Sequence, residues 1–241
     1  MNKLKLSNRL LEVASYIPEG AYFADIGSDH AYLPCHVCLK DPTAKAIAGE
    51  INEGPFNSAQ HTVDLYKLGQ QIEVRLGNGL EVLKDKEVNH IVIAGMGGSL
   101  IKTILDEGKS KLSTVERIIA QPNVDARNVR RWFFENNFTL TKEVILEEND
   151  HIYEIIVAER NNGDSLYSDE HFEKELLFGP LLLKQKTSVF LKKWKLEHEK
   201  LGRAIAQMNN ATAPDNVKME RFKKELAWME EVLKDEWKSP E

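Results

Sequence analysis

The chain has 241 residues, 42% of them hydrophobic and 29% charged, with a formal net charge of −6. Such a composition can bury a core, and no run of about 18 apolar residues interrupts it, so a disordered chain and a transmembrane helix are both excluded. The acidic balance, taken alone, argues against a nucleic-acid partner.

The first 20 residues read as an amphipathic helix, in which Arg9 and Glu12 break any signal-peptide core. Short apolar runs rich in β-formers then occupy residues 22–26, 44–51, 72–76, 90–94 and 117–120. Each is followed by a turn signal and by helical spacing, over residues 33–40, 54–68, 80–84, 99–108 and 125–136. Strands separated by helices in this way predict βαβ crossovers and a parallel sheet covered on both faces. Two further runs, 139–147 and 152–159, are separated only by Glu148, Asn149, Asp150 and His151. No crossover helix fits there, so these strands should pair as an antiparallel hairpin.

The polar stretch 161–165 (NNGDS) divides a sheet domain, 1–160, from a helical domain, 161–241. Met219, Phe222, Leu226, Met229 and Leu233 have the 3-4 spacing of a coiled-coil seam, and Phe190, Trp194, Leu201, Ile205 and Met208 form a second stripe. With a turn at 209–216 between them, they predict an antiparallel helical hairpin; two helices packed flat on the sheet domain are the alternative. Charge is uneven. Residues 1–160 carry 18 basic and 23 acidic side chains, whereas 184–203 holds seven Lys or Arg against only Glu197 and Glu199.

Ligands of an open parallel sheet bind beyond the carboxyl ends of its strands. The first strand ends Asp25-Ile26-Gly27-Ser28-Asp29-His30, which is neither a G-x-G-x-x-G fingerprint nor a P-loop. An acid at Asp29 is a poor neighbour for a pyrophosphate and a good one for an ammonium group. Glu50, 23 residues after Gly27 and followed by Ile51, is placed to accept hydrogen bonds from ribose hydroxyls. Gly77, Asn78 and Gly79 end the third strand, where an amide and bare backbone suit an adenine edge. Ala94, Gly95, Met96 and Gly97 end the fourth, leaving backbone open to a flat group. These four ends together describe a site for S-adenosyl-L-methionine. Cys35 and Cys38 are too few for a disulfide framework, so a cytoplasmic setting is expected, and a redox or zinc role is discounted. The histidines show no metal spacing.

The sheet with its terminal hairpin looks like the class I (Rossmann-like) methyltransferase fold, an α/β architecture, here joined to a C-terminal all-α coiled-coil helical hairpin. LSNRLLEVASYI, DIGSDHAYLP, AGMGG, QPN and DHIYEII, in that order, closely resemble the bacterial TrmK family. The resemblance runs from Leu6 to about Glu159 and extends to the helical hairpin. It implies methylation of N1 of the adenine at position 22 of tRNA, S-adenosyl-L-methionine as cofactor, and tRNA as partner, with no membrane and no metal. It places the cofactor at Asp25, Gly27, Asp29, His30, Glu50 and Gly77–Gly79; family members often have Asp where this chain has Asn78.

A ring nitrogen attacks with an in-plane lone pair, so the enzyme mainly has to align it with the methyl group. Asp29 and Glu154 are the candidates for easing the positive charge on the base, and the sequence does not select between them. Gln121, Pro122 and Asn123 are placed to meet the target base and Tyr153 to stack on it. Arg9, Arg130 and, in the helical domain, Lys192 and Lys193 are candidate substrate contacts. Two rivals stay open at this stage: a methyltransferase for a small molecule or protein, and a non-enzymatic coiled-coil module with a relic cofactor domain. The oligomeric state is not legible, and a monomer is the working expectation.

Overall fold

Five runs of β-branched and small apolar residues form parallel strands: β1 (Tyr22–Ile26), β2 (Lys45–Glu50), β3 (Ile72–Leu76), β4 (His90–Gly97) and β5 (Arg117–Val124). The structure, a computed structural model, describes residues 4–160, 163, 165–210 and 215–234. Helix α1 (Asn8–Ser15) precedes the strands, and α2 (Tyr32–Lys40), α3 (Glu53–Leu65), α4 (Gly98–Glu107) and α5 (Ala126–Glu135) connect or follow them. Residues 80–84, expected to be helical, make only a 3-10 turn at Gly79–Val82. The sheet is completed by β6 (Phe138–Glu148) and β7 (His151–Arg160), in the order β3-β2-β1-β4-β5-β7-β6.

Side chains alternate across each strand, so both faces need cover. Phe23, Val92, Ile119, Ile155 and Val157 pack with Val13 of α1, Leu33, Cys35 and Cys38 of α2, and Ala59 and Val63 of α3. The alternate residues Ile26, Ile47, Ile91, Ile93 and Ile118 are equally buried, as are Ile101 and Leu105 of α4 and Val129, Trp132 and Phe133 of α5. Trp132, Phe133 and Phe138 meet edge-on or tilted, with centroids 5.9–6.2 Å apart. The expected hairpin forms, with a tighter turn than its four polar residues suggest. Glu148 pairs with His151, and only Asn149 and Asp150 turn the chain, at φ of 51° and 61°. Both residue types tolerate the left-handed region, which a two-residue hairpin of this twist requires.

One charged cluster lies inside the sheet domain. Arg130 of α5 is fully buried, its Nε 2.6 Å from Glu143 Oε1 of β6 and its Nη2 2.5 Å from Glu154 Oε2 of β7. This corrects two expectations. Arg130 is no phosphate contact, because the guanidinium meets carboxylates rather than solvent. Glu154 is no helper at the methylated base, because its carboxylate faces Arg130 in the interior.

The chain divides into two compact units, Met1–Leu166 and Tyr167–Glu241. The second contains α6 (Phe172–Phe178), α7 (Pro180–Gln185), α8 (Ser188–Asn209) and α9 (Asn216–Leu233). Thr187 caps α8 by accepting from the Phe190 amide, and Asp215 caps α9 by accepting from that of Lys218. Phe178, Phe190 and Trp194 form an aromatic knot, the first and last with centroids 4.4 Å apart. Met229, Val232 and Leu233 are buried as well. The expected seam is thinner elsewhere: Leu201, Ile205, Met208, Phe222 and Leu226 are half-buried, while Met219 is buried. Residues 161, 162 and 164 of the expected boundary and 211–214 of the expected turn lie outside the described residues.

Replacing Arg130 with Met strands two carboxylates in the interior, and breaking a buried ion cluster by removing one partner costs about 3–5 kcal/mol. Urea unfolding of Arg130→Met should show a loss of that size; a loss below about 1 kcal/mol would mean the cluster does not hold the hairpin to α5.

Candidate active site

The chain runs outward from β1 through β2 to β3, then returns to place β4 on the other side of β1. That reversal opens a crevice at the carboxyl ends of β1 and β4, the ordinary ligand position of such sheets. A cavity of about 650 Å³ lies there. One wall comes from the β1 end: Asp25, Gly27, Ser28, Asp29 and Tyr32. Gly27 is required by its φ of 69°, and Met96, whose flexible tip would have to move aside for a Cβ there, also lines the cavity.

Asp25 is buried, and Ser28 Oγ donates to its Oδ2 at 2.6 Å. Burial pushes the Asp25 carboxyl up to about 7; the Ser28 hydroxyl opposes this, and the negative charge of Glu50 and Asp29 adds to it. Beyond Ser28 the backbone is strained. Asp29, His30 and Ala31 have φ of 45°, 70° and 55°, three consecutive left-handed residues without a glycine, at about 1–3 kcal/mol each. The Glu50 carboxylate helps hold this loop by accepting the Asp29 amide. His30 lies outside the cavity lining, stacked on Tyr32 with centroids 5.3 Å apart and its Nε2 3.4 Å from Asp29 Oδ1.

Glu50 is 5% exposed, and its Oε1 is buried with no hydrogen-bond partner among the described residues. Burial raises its pKa above the ordinary carboxylate value. An unpaired buried acceptor is costly, and a vicinal diol would satisfy it. Next to Glu50, Ile51 is 61% exposed and Leu76, paired with Glu50 across β2 and β3, is 50% exposed. Two bare apolar side chains at neighbouring strand ends suit the faces of a purine. In the sequence, Leu76 reads only as a strand residue. The Gly77 amide donates to the Glu50 carbonyl at 2.8 Å, and Asn78 is exposed beyond it. Glu50, Ile51, Gly77, Asn78 and Gly79 do not line the 650 Å³ cavity; they occupy the two strand ends beside it.

The opposite wall contains Arg9 and Leu10 of α1, Asn123 of β5, and His151, Ile152 and Tyr153 of β7. Ala94, Gly95 and Met96 form its floor. The Ala94–Gly97 stretch, expected to be loop, continues β4 beside an extended β5, with register shifts at Ala94/Met96 and Met96/Gly97. Gly97 is half-buried and caps α4 rather than lining the cavity. Four hydrogen bonds lock this edge. The Gly95 amide donates to Gln121 Oε1 at 3.0 Å, and Arg9 Nη1 donates to the same oxygen. Gln121 Nε2 donates to Asn123 Oδ1 at 3.1 Å, and Asn123 Nδ2 to the Gly95 carbonyl at 2.7 Å. Arg9 also lies over the Tyr153 ring, 5.2 Å from its centroid. Its helix is fastened by Glu148 of β6, which accepts the Asn8 and Arg9 amides at 2.7 and 3.2 Å.

Two expectations change here. Gln121 is fully buried and Pro122 is buried, so neither reaches a base; they shape the wall from behind because β5 continues as strand. Lys192 and Lys193 lie on α8 of the helical unit, where the sequence already places them, and Lys193 Nζ lies 4.8 Å from the centroid of the Trp194 ring. Of the two carboxylates expected to ease charge, only Asp29 lines the cavity. Sequence reasoning does not single out His151, Leu10, Ile152 or Tyr32, although the DHIY motif holds two of them. Cys35 and Cys38 are buried in the α2 core with thiols pushed up to about 12 by burial, which leaves them unreactive. Among the described residues no cluster of His, Cys, Asp and Glu could hold a metal, and no helix is long and apolar enough to cross a membrane.

The chain is similar to known proteins over nearly all its length. It is 48% identical over 235 residues to the tRNA (adenine(22)-N(1))-methyltransferase of Bacillus subtilis (strain 168), covering 98% of each. The crystal structure of the B. subtilis M1A22 tRNA methyltransferase TrmK superposes with a TM-score of 0.90 at 45% identity, over 96% of this chain and 100% of that one. M. capricolum TrmK, solved with the cofactor product S-adenosylhomocysteine, superposes with a TM-score of 0.80 at 31% identity, over 95% and 98%. The model of the TrmK family, described as tRNA (adenine(22)-N(1))-methyltransferase, matches residues 23–231, and the chain belongs to that family.

Proposed function

We propose that this protein transfers a methyl group from S-adenosyl-L-methionine to N1 of adenine 22 of tRNA. The observation that carries the proposal is the pairing of two unlike walls in one crevice. Two carboxylates suited to a cationic adenosyl ligand, the buried Asp25 and the exposed Asp29, face a wall of aromatic, guanidinium and amide groups suited to a base. The family match supplies the position and the ring atom.

The bound cofactor supplies a methyl group on a sulfonium, and the N1 lone pair forms the new N–C bond as the S–C bond breaks onto sulfur. The residues of this chain bind and align. Glu50 Oε1 would accept from a ribose hydroxyl, with Ile51 and Leu76 against the cofactor's purine. Asp25 and Asp29 would hold the positively charged methionyl end. Asp29 also remains near the positive charge when it passes to the base, so the site needs no general base to balance it. The Arg9–Tyr153 pair offers the target base a flat face. A base within folded tRNA must leave its stack to reach this crevice.

In the helical unit, Lys184, Lys186, Lys192 and Lys195 are exposed, whereas Lys200 is tied to Glu197 at 2.7 Å. We assign this stripe to phosphate contacts, which fix orientation without reading sequence.

The direct test is methylation of unmodified tRNA by the full chain, with the product nucleotide mapped. Methyl incorporation at N1 of adenine 22 is expected; incorporation elsewhere, or none, would refute the proposal. Glu50→Ala should weaken S-adenosylhomocysteine binding by at least about tenfold, the loss expected for a charged hydrogen bond. Its thermal transition should move little, since the Asp29 amide loses its acceptor while a poorly satisfied buried carboxylate is removed. Unchanged affinity in calorimetry would take Glu50 out of the site. Replacing Lys184, Lys186, Lys192 and Lys195 with Glu should weaken tRNA binding and lower its log–log salt slope by about 0.7–0.9 for each phosphate no longer neutralised. A slope that stays put would locate the phosphate-binding groups elsewhere.

A further inference from the structure

We propose that Asn123 reads the target adenine through its N6 amino group and N7, leaving N1 turned toward the methyl donor. The inference rests on the proposed function and adds how the base is recognised and held.

It follows from counting donors and acceptors along the β4–β5 edge. An Asn or Gln side chain can present its oxygen or its nitrogen to a given neighbour, so its polarity must be set by something unambiguous. Two groups here can only donate: the Arg9 guanidinium and the Gly95 amide. Both point at one atom of Gln121, which must therefore be its oxygen. The Gln121 nitrogen is then turned to Asn123, whose facing atom must be its oxygen. That leaves Asn123 Nδ2 to meet the Gly95 carbonyl, which can only accept. Every link agrees, and the polarity of Asn123 is fixed by Arg9 and Gly95 through Gln121.

Asn123 differs from Gln121 in its surroundings. Gln121 is fully buried, whereas Asn123 is exposed and lines the cavity. An Asn amide has two N–H donors and two lone pairs. The edge network uses one of each, so one N–H and one lone pair remain for a ligand. Adenine can match such a pair on two edges. On its pairing edge the partners are N6–H and N1; on the other edge they are N6–H and N7. Donation to N1 would occupy the lone pair that attacks the methyl group, so the productive match is N6 and N7. Side-chain amides make the same bidentate contact to adenine in nucleic-acid grooves. Guanine would set an acceptor, O6, against the Asn123 oxygen and be refused.

Arg9 and Gln121 act here as positioning residues, and Asn123 as the group that touches the base. Replacing N7 by carbon removes one acceptor and makes N1 more basic, so a slower reaction cannot be blamed on a weaker nucleophile. The experiment compares tRNA carrying adenine with tRNA carrying 7-deazaadenine at position 22, using the full chain and S-adenosyl-L-methionine. The wild type should lose about three- to tenfold in kcat/KM on the 7-deaza tRNA, the range of one hydrogen bond of the bidentate pair. Asn123→Ala should be slow on both and show a ratio near one. Gln121→Glu keeps an acceptor for Arg9 and Gly95 but cannot donate to Asn123, so its ratio should shrink while affinity for S-adenosylhomocysteine holds. Equal wild-type rates on the two tRNAs would overturn the proposal, as would a full ratio in Asn123→Ala. A full ratio in Gln121→Glu would overturn the relay from Arg9. No methylation of the adenine tRNA would instead refute the proposed function.

Discussion

Glu50 carries two obligations with one carboxylate. One oxygen accepts the Asp29 amide and helps hold a loop whose next residues are left-handed without glycine; the other is buried and unpartnered among the described residues. Asp25, a neighbouring strand away, is kept partly protonated by the same burial and by the charge of Glu50. Two acids in one desolvated corner are unfavourable in the free protein. A ligand that brings a diol to Glu50 and positive charge to Asp25 relieves both. The first crossover loop is thus built around groups that are incomplete alone, as sites that bind through electrostatic preorganisation commonly are.

The second wall depends on distant parts of the chain. Glu148, at the tip of β6, fastens the start of α1, which carries Arg9 into the cavity and onto Tyr153. The buried Arg130–Glu143–Glu154 cluster joins α5 to the same hairpin, so Tyr153 stands on a strand whose neighbouring residue is anchored. Alignment of a base against a methyl group is lost with small displacements, and this scaffold gives the wall few ways to move. Net charge says little about such a protein. The negative charge is concentrated in the sheet domain, while residues 184–203 of the helical unit are locally basic, the sign that RNA requires.

The sheet is legible in the sequence because its parallel strands are short β-branched runs ended by turn residues, and the hairpin because its connection is too short for a helix. The ends of β4 and β5 are not. Gly95, Gly97 and Pro122 read locally as breakers, yet register shifts let both strands continue past them. The proximity of Gly27, Asp29 and Glu50 follows from spacing along one crossover, which brings the ends of β1 and β2 together. Arg130 and Glu154 mislead because a charged residue looks like surface until its partner is known, and their pairing spans 24 residues. The role of Gln121 is still less visible: it is set by Arg9, 112 positions away, which decides where the amide oxygen points. His151 looks like part of a turn because the true turn is two residues shorter than its polar run.

Buried carboxylates at the ends of β1 and β2, on this account, are completed by a positively charged adenosyl ligand, and Asp25 ties that completion to a proton. Its folded-state pKa lies near 7, above the ordinary aspartate value, and a nearby positive charge favours the ionised form. Binding at or below neutral pH must then expel a proton, so affinity should rise with pH up to about 7 and level off above it. Calorimetry of S-adenosyl-L-methionine binding, repeated in buffers of different ionisation enthalpy, counts that proton. About half a proton released at pH 7, rising toward one at pH 6 and absent in Asp25→Asn, is the predicted result. Binding with no proton release at either pH would contradict it.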